Sequence, residues 1–306
     1  MCLDLSSAVQ KTQNSAHGSG GIPPPKRGTN RQSSQASRVF EWVVGMERRG
    51  WACLEYVREH ATPGDPRSVL EHFDKFAYQN WMMNVGDVKG PIVDAEIAKA
   101  KPQARLDVVV PCSADITESC RWMVQVMVEI GGFCGYSAVR FASKMREVSG
   151  PSAHYYSFEY SPVFAEIATE MIKFAGLEEV VTITVGEFSA THEALKTTMG
   201  VDHIDMLFID HHKKLYKSDL QLVEKAGLLR TVRAPRAIYA SEGRACIHDI
   251  ALQGSVVVAD NVITPGVPDY LEYVRSHPNF TSVLHESKLE YSDEKDGVEV
   301  STYTSA

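Results

Sequence analysis

From residue 126 onward the chain alternates short apolar runs with stretches at helical spacing, and this alternation leaves few folds open. The runs are Val126–Ile130, Tyr155–Phe158, Val180–Val185, Ile204–Ile209 and Ser255–Ala259, and Ala138–Val148 and Pro162–Ala175 lie between them. Strands joined by crossover helices lie parallel in one sheet, with helices covering both faces. Near the C-terminus, Thr281–Glu286 and Val298–Thr304 flank the turn-rich Ser292–Gly297 and predict a closing strand pair. The expected fold is α/β, a parallel sheet covered by helices on both faces.

With 306 residues, 44% of them hydrophobic, there is material for one large domain with a sizeable core. A net charge of −8 and the lack of a wide basic stretch argue against a general nucleic-acid binder. No window reaches the roughly 18 consecutive apolar residues of a membrane span, and no signal-peptide core opens the chain, so a cytoplasmic location is expected. Six cysteines without a CxxC or a ligand-like His spacing read as reduced thiols, against zinc or a disulfide framework. Residues 1–38 carry no aromatic side chain and include Pro23-Pro24-Pro25, which predicts a disordered tail. Order is expected from Val39, in a single domain over 39–306. A helix is expected to start at Asp65-Pro66, with Val69, Leu70, Phe73, Phe76 and Ala77 on one face.

In such sheets ligands bind beyond the carboxyl ends of the strands. The first run ends in Glu129-Ile130-Gly131-Gly132-Phe133-Cys134-Gly135-Tyr136-Ser137, a glycine-rich turn opening a helix. Counted from Gly131, the second and third glycines of a dinucleotide fingerprint fall on Phe133 and Tyr136, whose bulk would hold off a pyrophosphate. A nucleoside cofactor lacking that group fits better. Glu159, ending the second run, is placed either to accept bonds from ribose hydroxyls or to stand as a solvated strand-end carboxylate. The fourth run ends in Asp210-His211-His212-Lys213 and the fifth in Asp260-Asn261. Their three oxygen donors suit Mg²⁺ better than zinc held by adjacent histidines, although solvated acids at strand ends give the same pattern.

Several segments in this order resemble catechol O-methyltransferases. They are Trp81-Met82-Met83-Asn84-Val85-Gly86-Asp87-Val88-Lys89-Gly90-Pro91-Ile92-Val93-Asp94, the stretch Glu129 to Arg140, Phe174-Ala175-Gly176, Asp210-His211-His212-Lys213, Ala259-Asp260-Asn261-Val262-Ile263-Thr264-Pro265-Gly266 and Leu289-Glu290-Tyr291. The resemblance spans most of residues 55 to 305. It implies a Rossmann-like, doubly wound seven-stranded sheet, mostly parallel with one antiparallel strand near the C-terminus, with S-adenosylmethionine as methyl donor and Mg²⁺ holding both oxygens of a small-molecule catechol.

Carried over by position, Asp210, Asp260 and Asn261 bind the metal, Lys213 is the general base, and Glu290 bonds the second catechol hydroxyl. Trp81, Met83, Pro265 and Leu289 wall the ring, with Asp210, Lys213, Asn261 and Glu290 also facing substrate. Met83, Val85, Glu129, Phe133, Ser137, Glu159, Tyr160, Ser189, His211 and His212 line the cofactor site. A monomer is expected.

The chain departs from the pattern at His212, where the family has a tryptophan, and at Phe188 and Ser189, which replace a small and polar pair. Two atypical insertions, near 105–125 and 231–253, have no counterpart and are tolerable only as surface excursions; one or both are expected to be translated introns or gene-model errors, the alternative being a lineage-specific surface insertion. Two alternatives accompany this reading. One is a cation-dependent O-methyltransferase acting on another vicinal-diol aromatic, and the other is an inactive cofactor-binding variant disrupted by the insertions.

Overall fold

The structure is a computed structural model describing residues 35–99, 126–231, 237–240, 244–247 and 254–304. The expected tail, except for its last four residues, lies outside the described residues, as do the insertion near 105–125 and most of the one near 231–253. A first helix, α1 (Gln35–His60), begins before Val39 and buries Val39, Met46, Cys53, Leu54 and Val57 along one stripe. Next, α2 (Pro66–Asn80) starts where Asp65 Oδ1 accepts the Arg67 N–H at 3.0 Å, ahead of Pro66 in the first turn. A cap of this kind contributes about 1 kcal/mol. Val69, Phe73 and Ala77 are its buried face. The third helix is α3 (Gly86–Lys99).

The alternating region follows as β1 (Val126–Ile130), α4 (Tyr136–Ser149), β2 (His154–Glu159), α5 (Pro162–Phe174), β3 (Val181–Val185), the short α6 (Phe188–Thr191) and α7 (Ala194–Thr197), β4 (Met206–Ile209) and α8 (Tyr216–Lys225). Then come β5 (Ala237–Ala240) and β6 (Arg244–Ile247), which among the described residues pair only with each other. The chain closes with β7 (Val256–Ala259), α9 (Pro268–Ser276), β8 (Phe280–Lys288) and β9 (Lys295–Tyr303).

The main sheet has seven strands in the order β3-β2-β1-β4-β7-β9-β8, and β9 alone runs against its neighbours. Successive strand residues face opposite layers. Met127, Met206, Phe208, Val256 and Val258 join the core under α1–α5, while Val128, Leu207, Ile209, Val257 and Ala259 join the core under α8 and α9. Burial on both faces is why these strands read as unbroken apolar runs. Strand order reverses between β1 and β4, so a crevice opens beyond their carboxyl ends, as the sequence led one to expect. Among the described residues no helix is long and apolar enough to cross a membrane.

A buried polar hub ties the first helices to this crevice. Tyr136 and Tyr291 donate to Asp74 Oδ2 and Oδ1 at 3.0 and 2.8 Å, and Asn84 Nδ2 donates to the Tyr291 hydroxyl at 2.9 Å. Burial pushes the Asp74 carboxyl up to about 6, against the pull of both tyrosines. A carboxyl raised on folding adds most stability where it is protonated, and that contribution is lost as pH rises through its folded value. Asp74→Asn keeps the shape and can bond both hydroxyls. Its stability relative to the parent is expected to improve by about 2 kcal/mol between pH 4 and pH 8, read from urea unfolding at both. A pH-independent difference would contradict this account.

Candidate active site at the carboxyl ends of β1, β4 and β7

The turn after β1 needs its glycines. Gly131 has φ +104°, and a Cβ there would meet the Asp210 carbonyl oxygen at 2.5 Å. Gly135, φ +86°, caps α4 against Ala168, which a Cβ would approach to 3.0 Å. The turn thus lies directly against the end of β4. Phe133 takes φ +44° and places its ring 4.7 Å from Phe164.

Around this turn the carboxylates are already engaged. Glu159 accepts the Phe133 N–H on Oε2 at 2.8 Å and the Ser161 N–H on Oε1 at 2.7 Å, and burial outweighs these bonds to push it up to about 7. Glu129 is fully buried, takes the Ser157 hydroxyl at 2.6 Å, and is likewise raised to about 7 by burial, against hydrogen bonds that include one from Ser137. His211 bonds Asp219 through Nε2 at 2.9 Å and stacks on Tyr216 with ring centroids 5.3 Å apart. Because a carboxylate only accepts, Nε2 carries the proton. The buried Nδ1, without a hydrogen-bond partner, is then a free acceptor. Burial holds the His211 imidazole below its usual pKa, against the pull of Asp219.

Val85 is buried, while Met83, Tyr160 and His212 are half-buried. Ser189 stands exposed on α6. Phe188 turns inward, its ring edge-on to Phe158 at 5.0 Å, so this departure from the family pattern serves the core.

The oxygen donors converge. Lys213 Nζ donates to Asp210 Oδ1 at 2.7 Å, to Asn261 Oδ1 at 2.8 Å and to the Tyr216 hydroxyl at 2.6 Å. Asn261, at φ +54° immediately after β7, sends Nδ2 to Asp296 Oδ2 at 2.9 Å and to Glu290 Oε2 at 3.3 Å. Lys89, 0% exposed, sets its ammonium 2.9 Å from Asp260, 3.0 Å from Glu290 and 2.9 Å from Asp296. Burial alone would lower the Lys89 pKa, but these carboxylates hold it well above the usual lysine range. Asp260 is pushed up to about 7 by burial, with Lys89 opposing, and neither of its oxygens receives a hydrogen bond in good geometry.

Among the described residues no three His, Cys, Asp or Glu side chains group as a metal site. The donor set here is instead two carboxylates and an amide oxygen, all hard ligands. Four acidic side chains (Asp210, Asp260, Glu290, Asp296) against two lysines (Lys89, Lys213) give the cluster a formal excess of two negative charges. That excess, with the buried Asp260 carboxylate whose only close cation is Lys89 among the described residues, fits one divalent cation.

Of the residues expected to wall the ring, Trp81 is 38% exposed with its carbonyl held by Arg49 at 2.8 Å, Met83 and Leu289 are half-buried, and Pro265 is exposed. Three residues in the cluster were not singled out from sequence. Lys89 belongs to a segment legible only as a signature, Asp296 to a segment read as a turn, and Tyr216 to a helix start. No local signal marks any of them, because their partners come from distant parts of the chain.

Comparison with known proteins places the chain in a family. A methyltransferase-domain family matches residues 128–229, the stretch from β1 to just past α8. The chain is 37% identical to catechol O-methyltransferase of Mus musculus, over 82% of this chain and 77% of that protein. It is 36% identical to the Bos taurus protein of the same name, over 82% and 75%. A putative caffeoyl-CoA O-methyltransferase from Staphylococcus aureus shares the fold, with a TM-score of 0.51 and 19% identity over 76% of this chain and 91% of that one. With more than a third of its residues matching across four-fifths of its length, the chain belongs to the catechol O-methyltransferase family of S-adenosylmethionine-dependent enzymes.

Proposed function

We propose that the protein transfers a methyl group from S-adenosylmethionine to one hydroxyl of a catechol with the help of Mg²⁺. The observation that carries this reading is the cluster of Asp210, Asp260 and Asn261 oxygens, two negative charges in excess, with the Lys213 amine in contact. S-adenosylmethionine supplies an activated methyl carbon. Asp210, Asp260 and Asn261 would hold the Mg²⁺, which would supply the positive charge that lowers the pKa of a catechol hydroxyl.

The chain's own residues hold the reactants and move the proton. Lys213 takes the proton of the attacking hydroxyl at Nζ. Glu290 engages Lys89 and Asn261 through Oε2, which leaves Oε1 to accept from the second hydroxyl. Trp81, Met83, Pro265 and Leu289 wall the ring. Glu159 would accept from the ribose, and the His211 Nδ1 would accept a donor from the adenosine. Tyr160, Ser189 and His212 complete the cofactor site. Since the methyl group arrives activated, alignment is the main contribution, and proximity supplies roughly 7–11 kcal/mol when both reactants are held in attack geometry. The protein works as a cytoplasmic monomer, with Cys53 and Cys134 as buried free thiols.

Incubation with S-adenosylmethionine, Mg²⁺ and a simple catechol should give a product heavier by one methylene unit. Activity should vanish with EDTA and return with excess Mg²⁺. Chelator-resistant methylation would remove the metal from this reading. Turnover confined to larger vicinal-diol aromatics would move the acceptor to that class.

A further inference from the structure

Lys89 and Asp296 form a buried ion pair beneath the proposed cation site, and no step above uses it. Both side chains are fully enclosed, and they lie 2.9 Å apart. Asp296 Oδ1 accepts the N–H groups of Ile263 and Thr264 at 3.3 and 3.0 Å, in the loop that carries Pro265. Its Oδ2 accepts from Lys89 Nζ and from Asn261 Nδ2.

Every bond to Asp296 is therefore a donation toward it, from both sides of the carboxylate. A neutral amide cannot replace it. With its oxygen toward Ile263 and Thr264, an asparagine would point its NH₂ at the Asn261 NH₂ and the Lys89 ammonium. Turned over, it would point that NH₂ at two backbone N–H groups.

The same polarity sets the Asn261 amide. Its NH₂ faces two carboxylates, and its Oδ1 faces the Lys213 ammonium beside Asp210. A reversed amide would set oxygen against carboxylate oxygens and NH₂ against an ammonium group. Lys89 meanwhile reaches one oxygen of Asp260 and one of Glu290, holding both carboxylates to a single side.

We propose that Lys89 and Asp296 are positioning residues. Their ion pair fixes the Asn261 amide with Oδ1 toward the cation and aligns the oxygens of Asp260 and Glu290. This rests on the divalent-cation reading given above. Partners that orient metal ligands typically contribute 10- to 100-fold in metal affinity.

The test is Mn²⁺ binding to the full chain, followed by the electron paramagnetic resonance signal of free Mn²⁺. S-adenosylmethionine affinity, measured by calorimetry, serves as the control. Asp296→Asn is expected to weaken Mn²⁺ binding about tenfold or more, with S-adenosylmethionine affinity within about twofold of the parent. That variant also loses a negative charge, so the deciding protein is the double variant Lys89→Met/Asp296→Asn. The double keeps the net charge of the cluster while removing the ion pair. It should bind Mn²⁺ about tenfold more weakly as well. Parent-like Mn²⁺ affinity in the double variant overturns the positioning role and leaves charge as the only contribution of the pair. A parent chain that binds no Mn²⁺ overturns the metal reading itself, and this inference with it.

Discussion

Asp260→Ala is expected to lower kcat/KM for a simple catechol by about 10³-fold or more, a loss of about 4 kcal/mol of transition-state stabilisation. Asp260 is the most enclosed of the proposed ligands, and its oxygens receive no well-formed hydrogen bond. No other anion in the cluster can replace it, because Glu290 and Asp296 already share Lys89 and Asn261. The fold should survive, since Lys89 keeps two carboxylate partners. Asp260→Asn is the companion variant: it preserves volume, removes the charge and should be nearly as impaired. Steady-state rates at saturating Mg²⁺, with far-ultraviolet circular dichroism as the folding check, decide the matter. Activity within tenfold of the parent in either folded variant would contradict the role given to Asp260.

Gly131→Ala should be the most damaging single methyl group in the protein. Two penalties coincide there. The backbone sits at φ +104°, and the added Cβ would lie 2.5 Å from the Asp210 oxygen, 2.8 Å from its carbonyl carbon and 3.0 Å from His211 Cα. All three are backbone atoms at the end of β4, so no side-chain rotation relieves the contact. Strain and overpacking together predict a destabilisation of about 3 kcal/mol or more. The chain can yield only by moving the cofactor turn away from the loop that holds Asp210 and His211. S-adenosylmethionine binding and Mn²⁺ binding should therefore fall together, measured by calorimetry on the same preparation. Gly45→Ala, inside α1 with nothing within 4 Å of the added carbon, is the control and should raise stability by about 0.5–1 kcal/mol. A Gly131→Ala variant with the parent's thermal midpoint would refute the steric argument.

Much of the fold was legible because local periodicity and global burial agree. Val126–Ile130 reads as a strand and forms β1, and Asp65-Pro66 reads as a helix start and caps α2. Disagreements arose where tertiary contacts outweighed local preference. The run starting at Ile204 was expected to be strand throughout, but β4 begins at Met206. Ile204 instead makes an isolated bridge to Leu229, and the Asp205 side chain takes the Val126 N–H at 3.0 Å. Ser292–Gly297 has the composition of a turn, yet β9 begins at Lys295. Asp296 and Gly297 pair with Ser287 and Glu286 there. An aspartate tolerates that buried ladder position because Lys89, 207 residues away in sequence, neutralises it.

The chain's letters alone determined the strand–helix alternation, the glycine turn after β1, the oxygen donors after β4 and β7, and the likeness to one enzyme family. Those features are written in spacing and side-chain type, which survive without coordinates. Only the tertiary structure decided which charges meet. It brings Lys89 under Asp260, Glu290 and Asp296, puts Lys213 on Asp210, Asn261 and Tyr216, and turns Phe188 away from the crevice. A buried charge is stable only with its partner in contact, and hydrogen-bond polarity belongs to the pair. Both are settled when remote segments pack, not by any local pattern.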